Sequence, residues 1–267
     1  PLLLARDLDS GTIPLPAGQV ILLNCSNIQV NGLDANNVNN AIFIAESSNI
    51  TITDFCNTVS FIGVDISNSE DICFENSHIY NSIIGVYITY SHNVRVSNST
   101  FSGDLYNRYN RTTGIISLQS DNGTISGCSF SYGEMQIANS TGWEMQGCNL
   151  RDMTVYIGDH AEENRIYECN FTDGSIGIEA YDHATSNSVF HNNFLNINNT
   201  QNIKILHNPT STQYNNNNLA NIINLHTPNP IDLLKKKQTF SNFTHFNYAS
   251  IDKSFNTIIN NTIKSKN

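Results

Sequence analysis

Two short stretches of the sequence place carboxylates and imidazoles at matching positions. GDHAEEN begins at residue 158 and YDHATSN at residue 181, so Asp159 and His160 recur as Asp182 and His183. Carboxylates on neighbouring strands lie roughly 5 Å apart and repel unless a proton or a cation lies between them. With Glu179 nearby, the group predicts a Ca²⁺ site on the two aspartates or a pair of acid and base carboxylates. The alternative is a repeated polar turn that faces water.

A second group of reactive side chains lies in the segment GDLYNRYNRTT, which begins at residue 103. It combines two aromatic rings with two cations: Tyr106, Arg108, Tyr109 and Arg111. Aromatic faces beside flexible polar donors suit sugar rings, so this loop is a candidate glycan subsite. The alternative is a solvated loop that carries a glycosylation sequon.

The overall charge limits the partners that the chain can attract. It has 13 Lys and Arg against 23 Asp and Glu, and a formal net charge of -10. Nothing in this balance favours nucleic acid or anionic lipid, and a polyanionic sugar needs a bridging cation. No apolar run approaches the roughly 18 residues of a membrane span. We expect no cofactor other than Ca²⁺.

A repeated phrase indicates how these groups are arranged. CSNIQV begins at residue 25, and SSNITI, SEDICF and SHNVRV follow at steps of 22 residues. The repeat continues more loosely as SDNGTI, STGWEM, AEENRI and ATSNSV. Each phrase ends on an apolar residue, and these residues form one column: Val30, Ile52, Phe74, Val96, Ile125, Met145, Ile166 and Val189.

A second apolar column lies eight or nine residues upstream, or seven in one coil. It contains Ile21, Ile44, Ile66, Ile88, Leu118, Ile137, Ile157 and Ala180. Each repeat therefore holds at least two short strands and has no room for a helix. Because one repeat cannot bury its own apolar face, the repeats must stack. The sequence predicts an all-β, right-handed parallel β-helix over residues 1–226, followed by an irregular segment or cap over residues 227–267.

Polar columns accompany the apolar ones. Stacked small polar residues inside a coil can bond their copies above and below. We expect such a structural ladder at Ser47, Ser69, Ser91, Ser120 and Ser140, and a buried thiol column at Cys128, Cys148 and Cys169. One disulfide among the stacked thiols is an open alternative. Turn residues that tolerate a left-handed backbone form another column: Asn27, Asn49, Asp71, Asn93 and Asn122.

Outward positions of the upstream strands form a mixed polar and aromatic stripe. It contains Phe43, Asp65, Tyr87, Ser117, Gln136, Tyr156 and Glu179. This stripe predicts a shallow glycan groove in which Tyr87 and Tyr156 contact the sugar. No Lys precedes Lys204, so the stripe lacks the combination of acids and an opposing cation that uronate elimination requires.

Several features favour an exported protein. Ten sequons are candidate glycosylation sites: Asn24, Asn49, Asn98, Asn110, Asn122, Asn139, Asn170, Asn198, Asn242 and Asn260. A chain so rich in Asn, Ser and Thr also generates sequons by accident. The sequence begins at Pro1, and we expect a processed form or a fragment of a longer protein.

The stretch DSGTIPLPAGQVILLNCSNIQVNGL and the coil GVYITYSHNVRVSNSTFSG resemble the NosD-like group of right-handed β-helix proteins. This group is also described as carbohydrate-binding and sugar-hydrolase repeats, and it is abundant in the envelopes of methanogenic archaea. The resemblance covers residues 5 to about 200 and implies the fold more strongly than any activity. The namesake of the group is a periplasmic factor linked to copper enzymes. The sequence shows no cluster of Cys, Met and His that predicts a copper site.

The preferred interpretation is therefore an extracellular or cell-surface β-helix protein without catalysis of its own. Its partners are an extracellular polysaccharide or envelope components. The first alternative is a polysaccharide hydrolase or lyase, with Asp159, Asp182, His160, His183 and Glu179 as catalytic candidates. The second alternative is a scaffold whose open solenoid ends assemble copies of the chain.

Overall fold

Every regular element of the described chain is a β-strand. The computed structural model describes residues 2–14, 16–103, 112–174, 177–181, 183–195, 203–206, 213–215 and 222–225. All of them belong to one unit, Pro1–His226. Among these residues, no helix is long and apolar enough to cross a bilayer. The predicted C-terminal segment at 227–267 lies outside the described residues and stays a prediction.

The strands are short, and most have three to six residues. In chain order they are β1 (Leu2–Arg6), β2 (Gly11–Thr12), β3 (Gln19–Leu23), β4 (Ser26–Asn31), β5 (Asp34–Asn36), β6 (Asn40–Ala45), β7 (Ser48–Thr53), β8 (Cys56–Thr58), β9 (Ile62–Ser67), β10 (Glu70–Glu75), β11 (His78–Tyr80), β12 (Ile84–Thr89), β13 (Arg95–Ser97), β14 (Thr100–Ser102), β15 (Thr112–Leu118), β16 (Thr124–Ser126), β17 (Ser129–Ala138), β18 (Glu144–Gln146), β19 (Asn149–Ile157), β20 (Arg165–Tyr167), β21 (Asn170–Thr172), β22 (Ile178–Ala180), β23 (Ser188–Phe190), β24 (Asn193–Leu195), β25 (Ile203–Leu206), β26 (Gln213–Asn215) and β27 (Ile222–Leu225).

These strands wrap around one core as three parallel faces, which we call sheets 1 to 3, and sheets 2 and 3 are two parts of one 17-stranded hydrogen-bonded sheet. Sheet 1 has the order β2-β4-β7-β10-β13-β16-β18-β20-β23-β26. Sheet 2 contains β5, β8, β11, β14, β21 and β24, and sheet 3 contains β1, β3, β6, β9, β12, β15, β22, β25 and β27. The long strands β17 and β19 run through both sheet 2 and sheet 3. The prediction of an all-β, right-handed parallel β-helix with coils of about 22 residues is confirmed.

The register confirms the first apolar column and corrects the second. On sheet 3 Leu22, not Ile21, pairs with Ile44, because every residue of β3 near this position is apolar and alternation gives no signal. In β15 the inward residue is Ser117 and not Leu118, and the outward residue is Ile116 and not Ser117. A register shift between Thr113 and Ile116 accompanies this difference.

The core is a continuous column of aliphatic and aromatic side chains. Phe101 and Phe130 stack with ring centroids 4.9 Å apart, and Phe171 and Phe194 stack at 4.7 Å. Trp143 is 1% exposed, and its indole N–H donates to the main-chain oxygen of Ser120 at 2.9 Å. A Cβ on Gly123 would lie 2.3 Å from the Trp143 ring, so the missing side chain of Gly123 makes room for the indole.

A ladder of serine hydroxyls links successive coils at an inside corner. Ser47 Oγ accepts the Cys25 main-chain N–H at 3.0 Å and donates to the Ala45 oxygen at 2.8 Å. Both bonds recur at the later corner serines, with N–H to Oγ distances of 3.1 to 3.2 Å. These serines are Ser69, Ser91, Ser120 and Ser140. Each hydroxyl thus satisfies one buried donor and one acceptor.

The turn next to this ladder has a left-handed backbone. The predicted turn column has φ values of 54°, 51°, 55°, 54° and 57° at Asn27, Asn49, Asp71, Asn93 and Asn122. Asn and Asp adopt this conformation more readily than other residues with a side chain. Their amides also bond across coils, because Asn49 Nδ2 donates to Asn27 Oδ1 at 2.6 Å.

Replacing a ladder serine should destabilise the whole unit. Ser69→Ala removes the acceptor of the buried Ser47 N–H, so we expect a loss of about 1 to 3 kcal/mol in the free energy of unfolding. Urea unfolding followed by the fluorescence of Trp143, the one Trp of the chain, measures this loss. The control is Ser129→Ala on the exposed side of β17, where we expect a change below about 0.5 kcal/mol. Equal midpoints for both variants would contradict the role of the ladder.

Candidate functional site

Part of the predicted site chemistry falls on residues that the structure does not describe. Tyr106, Arg108, Tyr109 and Arg111 lie in the segment 104–111, outside the described residues, and so does Asp182. The predicted glycan subsite in this loop and the predicted pair of stacked aspartates therefore remain predictions.

The described members of the Asp and His group lie at two different places. The His160 and His183 rings stack with their centroids 5.1 Å apart, and both side chains are exposed. Asp159 is exposed beside His160, whereas Glu179 is 1% exposed on sheet 3. There, burial and then the Glu179 carboxylate raise the pKa of the Tyr181 phenol. Within the described ranges, no group of three His, Cys, Asp or Glu residues could hold a metal ion.

The outward stripe of sheet 3 is more buried than its sequence suggested. Tyr87 and Tyr156 are half-buried, and Ile116 replaces Ser117 between them. The carboxyl group of Asp65 is on this stripe, but Asp65 is only 4% exposed. The assignment of Tyr87 and Tyr156 to glycan binding stays a prediction.

A second surface, at the corner between sheet 3 and sheet 1, was missed in the sequence. Two rows of side chains run along this corner on either side of the serine ladder. The turn row has a left-handed backbone and contains Asn24, Glu46, Asn68, Tyr90, Gln119, Asn139, His160 and His183. The strand row opens sheet 1 in each coil and contains Ser26, Ser48, Glu70, His92, Asp121, Thr141, Glu162 and Thr185.

The corner opens into a groove of about 430 Å³, which we call the corner groove. Its residues come from both rows and from the serine ladder: Glu46, Ser47, Ser48, Asn68, Ser69, Glu70, Tyr90 and His92. Ser47 and Ser69 are buried and form the floor, and the other side chains stand on successive coils roughly 4.8 Å apart. The groove therefore runs along the solenoid axis.

Tyr90 is the unusual residue of this groove. Its φ is 50°, a conformation that a bulky side chain rarely adopts, and its side chain is 53% exposed. Three other coils have Asn at this position of the turn row: Asn24, Asn68 and Asn139. An aromatic residue in a column of turn-forming residues was the signal that could have identified the groove.

The corner is acidic. Glu46 and Glu70 line the groove, and Asp121 and Glu162 continue the strand row. None of the sixteen positions of the two rows is Lys or Arg. The imidazole that lines the groove is that of His92, whose Nδ1 lies 3.7 Å from an Asp121 carboxylate oxygen.

Three of the cysteines form one buried column. Cys128, Cys148 and Cys169 are buried in one column, and each Sγ donates to a main-chain oxygen at 3.2 to 3.4 Å. Hydrogen bonding to Cys128 and to Cys169, together with burial, raises the pKa of the Cys148 thiol, and the same hydrogen bonds lower the pKa of the Cys128 and Cys169 thiols. All six cysteines are described, and none forms a disulfide.

Backbone geometry gives the described sequons a structural role that does not depend on export. The side chains of six of the ten, at Asn24, Asn49, Asn98, Asn122, Asn139 and Asn170, are exposed, and the first five have φ between 48° and 57°. Asn24 Nδ2 and Asn170 Nδ2 donate to oxygens of the neighbouring coil at 2.7 and 3.0 Å. Asn110, Asn198, Asn242 and Asn260 lie outside the described residues, and glycosylation stays a prediction.

Comparison with known proteins supports the fold. The sequence profile of a family described as "Periplasmic copper-binding protein (NosD)" matches residues 9–228. No curated protein sequence matches the chain.

Several solved structures share the β-helix. The tailspike protein of E. coli bacteriophage HK620, a double mutant in complex with a pentasaccharide, has a TM-score of 0.54 and 11% identity over 78% of this chain and 48% of its own. PfbA, a surface adhesin of Streptococcus pneumoniae, has a TM-score of 0.53 and 10% identity over 74% and 63%. The periplasmic alginate epimerase AlgG, also a double mutant, has a TM-score of 0.52 and 9% identity over 78% of this chain and 60% of its own. The chain thus spans about half to two thirds of these proteins.

The burial of the thiols predicts a selective labelling pattern. In the native protein we expect a thiol reagent to modify only the half-buried Cys56 and Cys73, and slowly, because burial raises the pKa of both thiols. The four buried cysteines should react only after denaturation. Mass spectrometry of the labelled peptides before and after unfolding measures this difference. Rapid native labelling of Cys148 would show that the thiol column is open to solvent.

Proposed function

The chain belongs to the family described as "Periplasmic copper-binding protein (NosD)", and we propose that it is a glycan-binding β-helix protein of the cell envelope that has no catalysis of its own. Among the described residues, no three His, Cys, Asp or Glu side chains are grouped so that they could hold a metal ion. The proposal therefore rests on the shape and the chemistry of the corner groove.

The observation that carries the proposal is the combination of Tyr90 with the polar rows of the groove. The exposed Tyr90 ring supplies a flat apolar face, against which the C–H face of a sugar can pack. The carboxylates of Glu46 and Glu70 and the amide of Asn68 supply hydrogen-bond partners for sugar hydroxyls. A small number of polar groups around an aromatic anchor is typical of small-ligand sites.

The charge of the groove favours a particular class of sugar. A uronic acid would bring its carboxylate towards Glu46 and Glu70, and no Lys or Arg in either row offsets the repulsion. An amino sugar would place its ammonium group between these carboxylates and close to the Tyr90 ring. We therefore propose that the ligand is a glycan of neutral or amine-bearing sugars.

The structural neighbours are compatible with a glycan partner. They include a tailspike protein in complex with a pentasaccharide and a periplasmic alginate epimerase. An envelope location agrees with the periplasmic description of the family and with the exposed sequons. At 9 to 11% identity, however, these neighbours support the fold alone.

Paired-carboxylate catalysis finds little support among the described residues. Asp65 and Glu179 occupy the same outward column, but five coils separate them, which corresponds to about 24 Å. Glycosidase carboxylates lie roughly 5 to 9.5 Å apart. The hydrolase or lyase alternative thus depends on other acids, which are Asp159 and Asp182, or Glu179 with Glu134, since both glutamates raise the pKa of the Tyr181 phenol.

Replacing Tyr90 should separate binding from stability. In Tyr90→Asn the left-handed turn holds a residue that tolerates it, so we expect the unfolding free energy to rise by about 1 kcal/mol. Glycan affinity should fall at least tenfold, because the aromatic face is gone. A glycan array followed by calorimetry on the strongest oligosaccharide measures binding.

The matched control for Tyr90→Asn is Gln119→Asn. Gln119 has φ of 52° and follows Tyr90 in the turn row, but it does not line the corner groove. We expect the same gain in stability with unchanged affinity. Equal affinity of Tyr90→Asn and the wild type would remove the groove from the binding function. Concentration-dependent assembly in light scattering, with no array signal, would favour the scaffold alternative.

The acidic pair predicts the order of affinities on the array. Glucosamine oligomers should bind more tightly than N-acetylglucosamine oligomers, and galacturonic acid oligomers should bind most weakly. Glu46→Gln with Glu70→Gln should lower affinity for glucosamine oligomers about tenfold and remove most of its salt dependence. Affinity for the N-acetylated oligomers should stay within about twofold in the same variant. Preferential binding of galacturonic acid would contradict the assignment of sugar class.

A further inference from the structure

Two buried polar side chains on neighbouring coils of sheet 3 are only partly satisfied. Asn40 begins β6 and Asp65 lies in β9, and each is 4% exposed. Asn40 Nδ2 donates to Asp65 Oδ2 at 3.0 Å. The main-chain oxygen of Asn40 in turn accepts from Gln19 Nε2 at 2.6 Å. A polar chain therefore crosses three coils on the outer side of this sheet.

The two remaining side-chain oxygens have no partner. Asn40 Oδ1 and Asp65 Oδ1 are both buried, and neither makes a hydrogen bond. An ionised carboxylate and an amide oxygen are both acceptors, so they cannot satisfy each other. A buried, unpaired acceptor costs roughly 1 to 3 kcal/mol, and a charged one costs more. One proton shared by this pair would remove both deficits.

We propose that Asp65 is held as a neutral carboxylic acid whose O–H donates to the Asn40 amide oxygen, so that two hydrogen bonds join the side chains in a ring. When this acid ionises, the proton leaves to solvent and the carboxylate stays behind with a single donor. The outer side of sheet 3 between β6 and β9 then loosens. The pair is thus a proton-operated latch between two coils, independent of the corner groove.

The surroundings of Asp65 support the neutral form. The residues in register with it are Phe43 on β6 and Tyr87 on β12, so Tyr87 is the one titratable neighbour in register. Burial raises the pKa of Asp65 to about 7, and the bond from Asn40 opposes this shift. No described cationic group contributes to the pKa of Asp65.

The sign of the pH effect follows from this shift. The folded pKa of about 7 lies above the ordinary value of 3.8, so the neutral pair contributes its full stabilisation below about pH 4. As the pH rises above the unfolded pKa, the unfolded chain releases the Asp65 proton first. The folding equilibrium constant then falls about tenfold per pH unit. The contribution is lost once the pH passes through about 7.

Asp65→Asn is the decisive variant, because an amide can donate to Asn40 Oδ1 and accept from Asn40 Nδ2 without a proton. We expect the wild type to fall below Asp65→Asn in unfolding midpoint as the pH rises from 4 to 8. The difference should correspond to a change of about 100-fold or more in the folding equilibrium constant. Asp54→Asn, at an exposed turn position, controls for the loss of one carboxylate and should show no such pH dependence.

Infrared spectroscopy tests the proton directly and does not depend on the variant's stability. Above about pH 6, where ordinary Asp and Glu carboxyls are ionised, the native wild type should show a carboxylic acid C=O band that disappears with a midpoint near 7 and is missing from Asp65→Asn. Hydrogen exchange of β6 and β9, corrected for intrinsic rates, should quicken over the same range in the wild type only. Parallel stability curves for the two proteins, or no acid band, would overturn the proposal. The proposal would also be overturned if K⁺ or Ca²⁺ restored the unfolding midpoint of the wild type at pH 8, because a cation would then hold the two oxygens.

Discussion

The buried main-chain N–H at the inside corner of the coils is the constraint on which the solenoid depends. An unmet donor there is costly, and from Cys25 to Ser120 the next coil supplies the acceptor through a serine hydroxyl. The serine ladder ends at Ser140, because Ala161 and Ala184 occupy the next two corner positions. Three residues further along these coils a separate column of amides accepts main-chain donors, since Trp143 N–H donates to Asn164 Oδ1 at 2.8 Å and Asn164 N–H to Asn187 Oδ1 at 2.9 Å.

The same constraint explains where the chain can vary. Inward positions must fill the core or complete a ladder, and the turn row must adopt a left-handed backbone in every coil. Only the outward side chains of the turns and strands are free to carry chemistry. Tyr90 shows the limit of that freedom, since its backbone conformation is fixed by the turns above and below it.

Much of the fold could be predicted because the repeat is encoded at nearly every coil. The first apolar column was correct at all eight positions, from Val30 to Val189. The second column failed where hydrophobicity was a misleading guide. Ser117 is inward and fully buried, and its hydroxyl is satisfied there because it lies 3.2 Å from Ser140 Oγ. Hydrophobicity alone favoured the neighbouring Leu118 as the core residue. A buried serine is recognisable only when its hydrogen-bond partner in the next coil is known.

The acidic residues show why function was harder to predict than fold. Glu70 and Asp65 both occupy outward positions of short strands, and the repeat pattern treats them alike. Glu70 is exposed to water and stays available to a ligand, whereas Asp65 is covered, which raises its pKa to about 7 and disfavours its charge. The two acids differ in how far other side chains bury them, and the repeat period does not predict that burial. An outward acid in a β-helix is therefore a binding group or a proton-holding group according to its burial, and the sequence pattern alone does not distinguish the two.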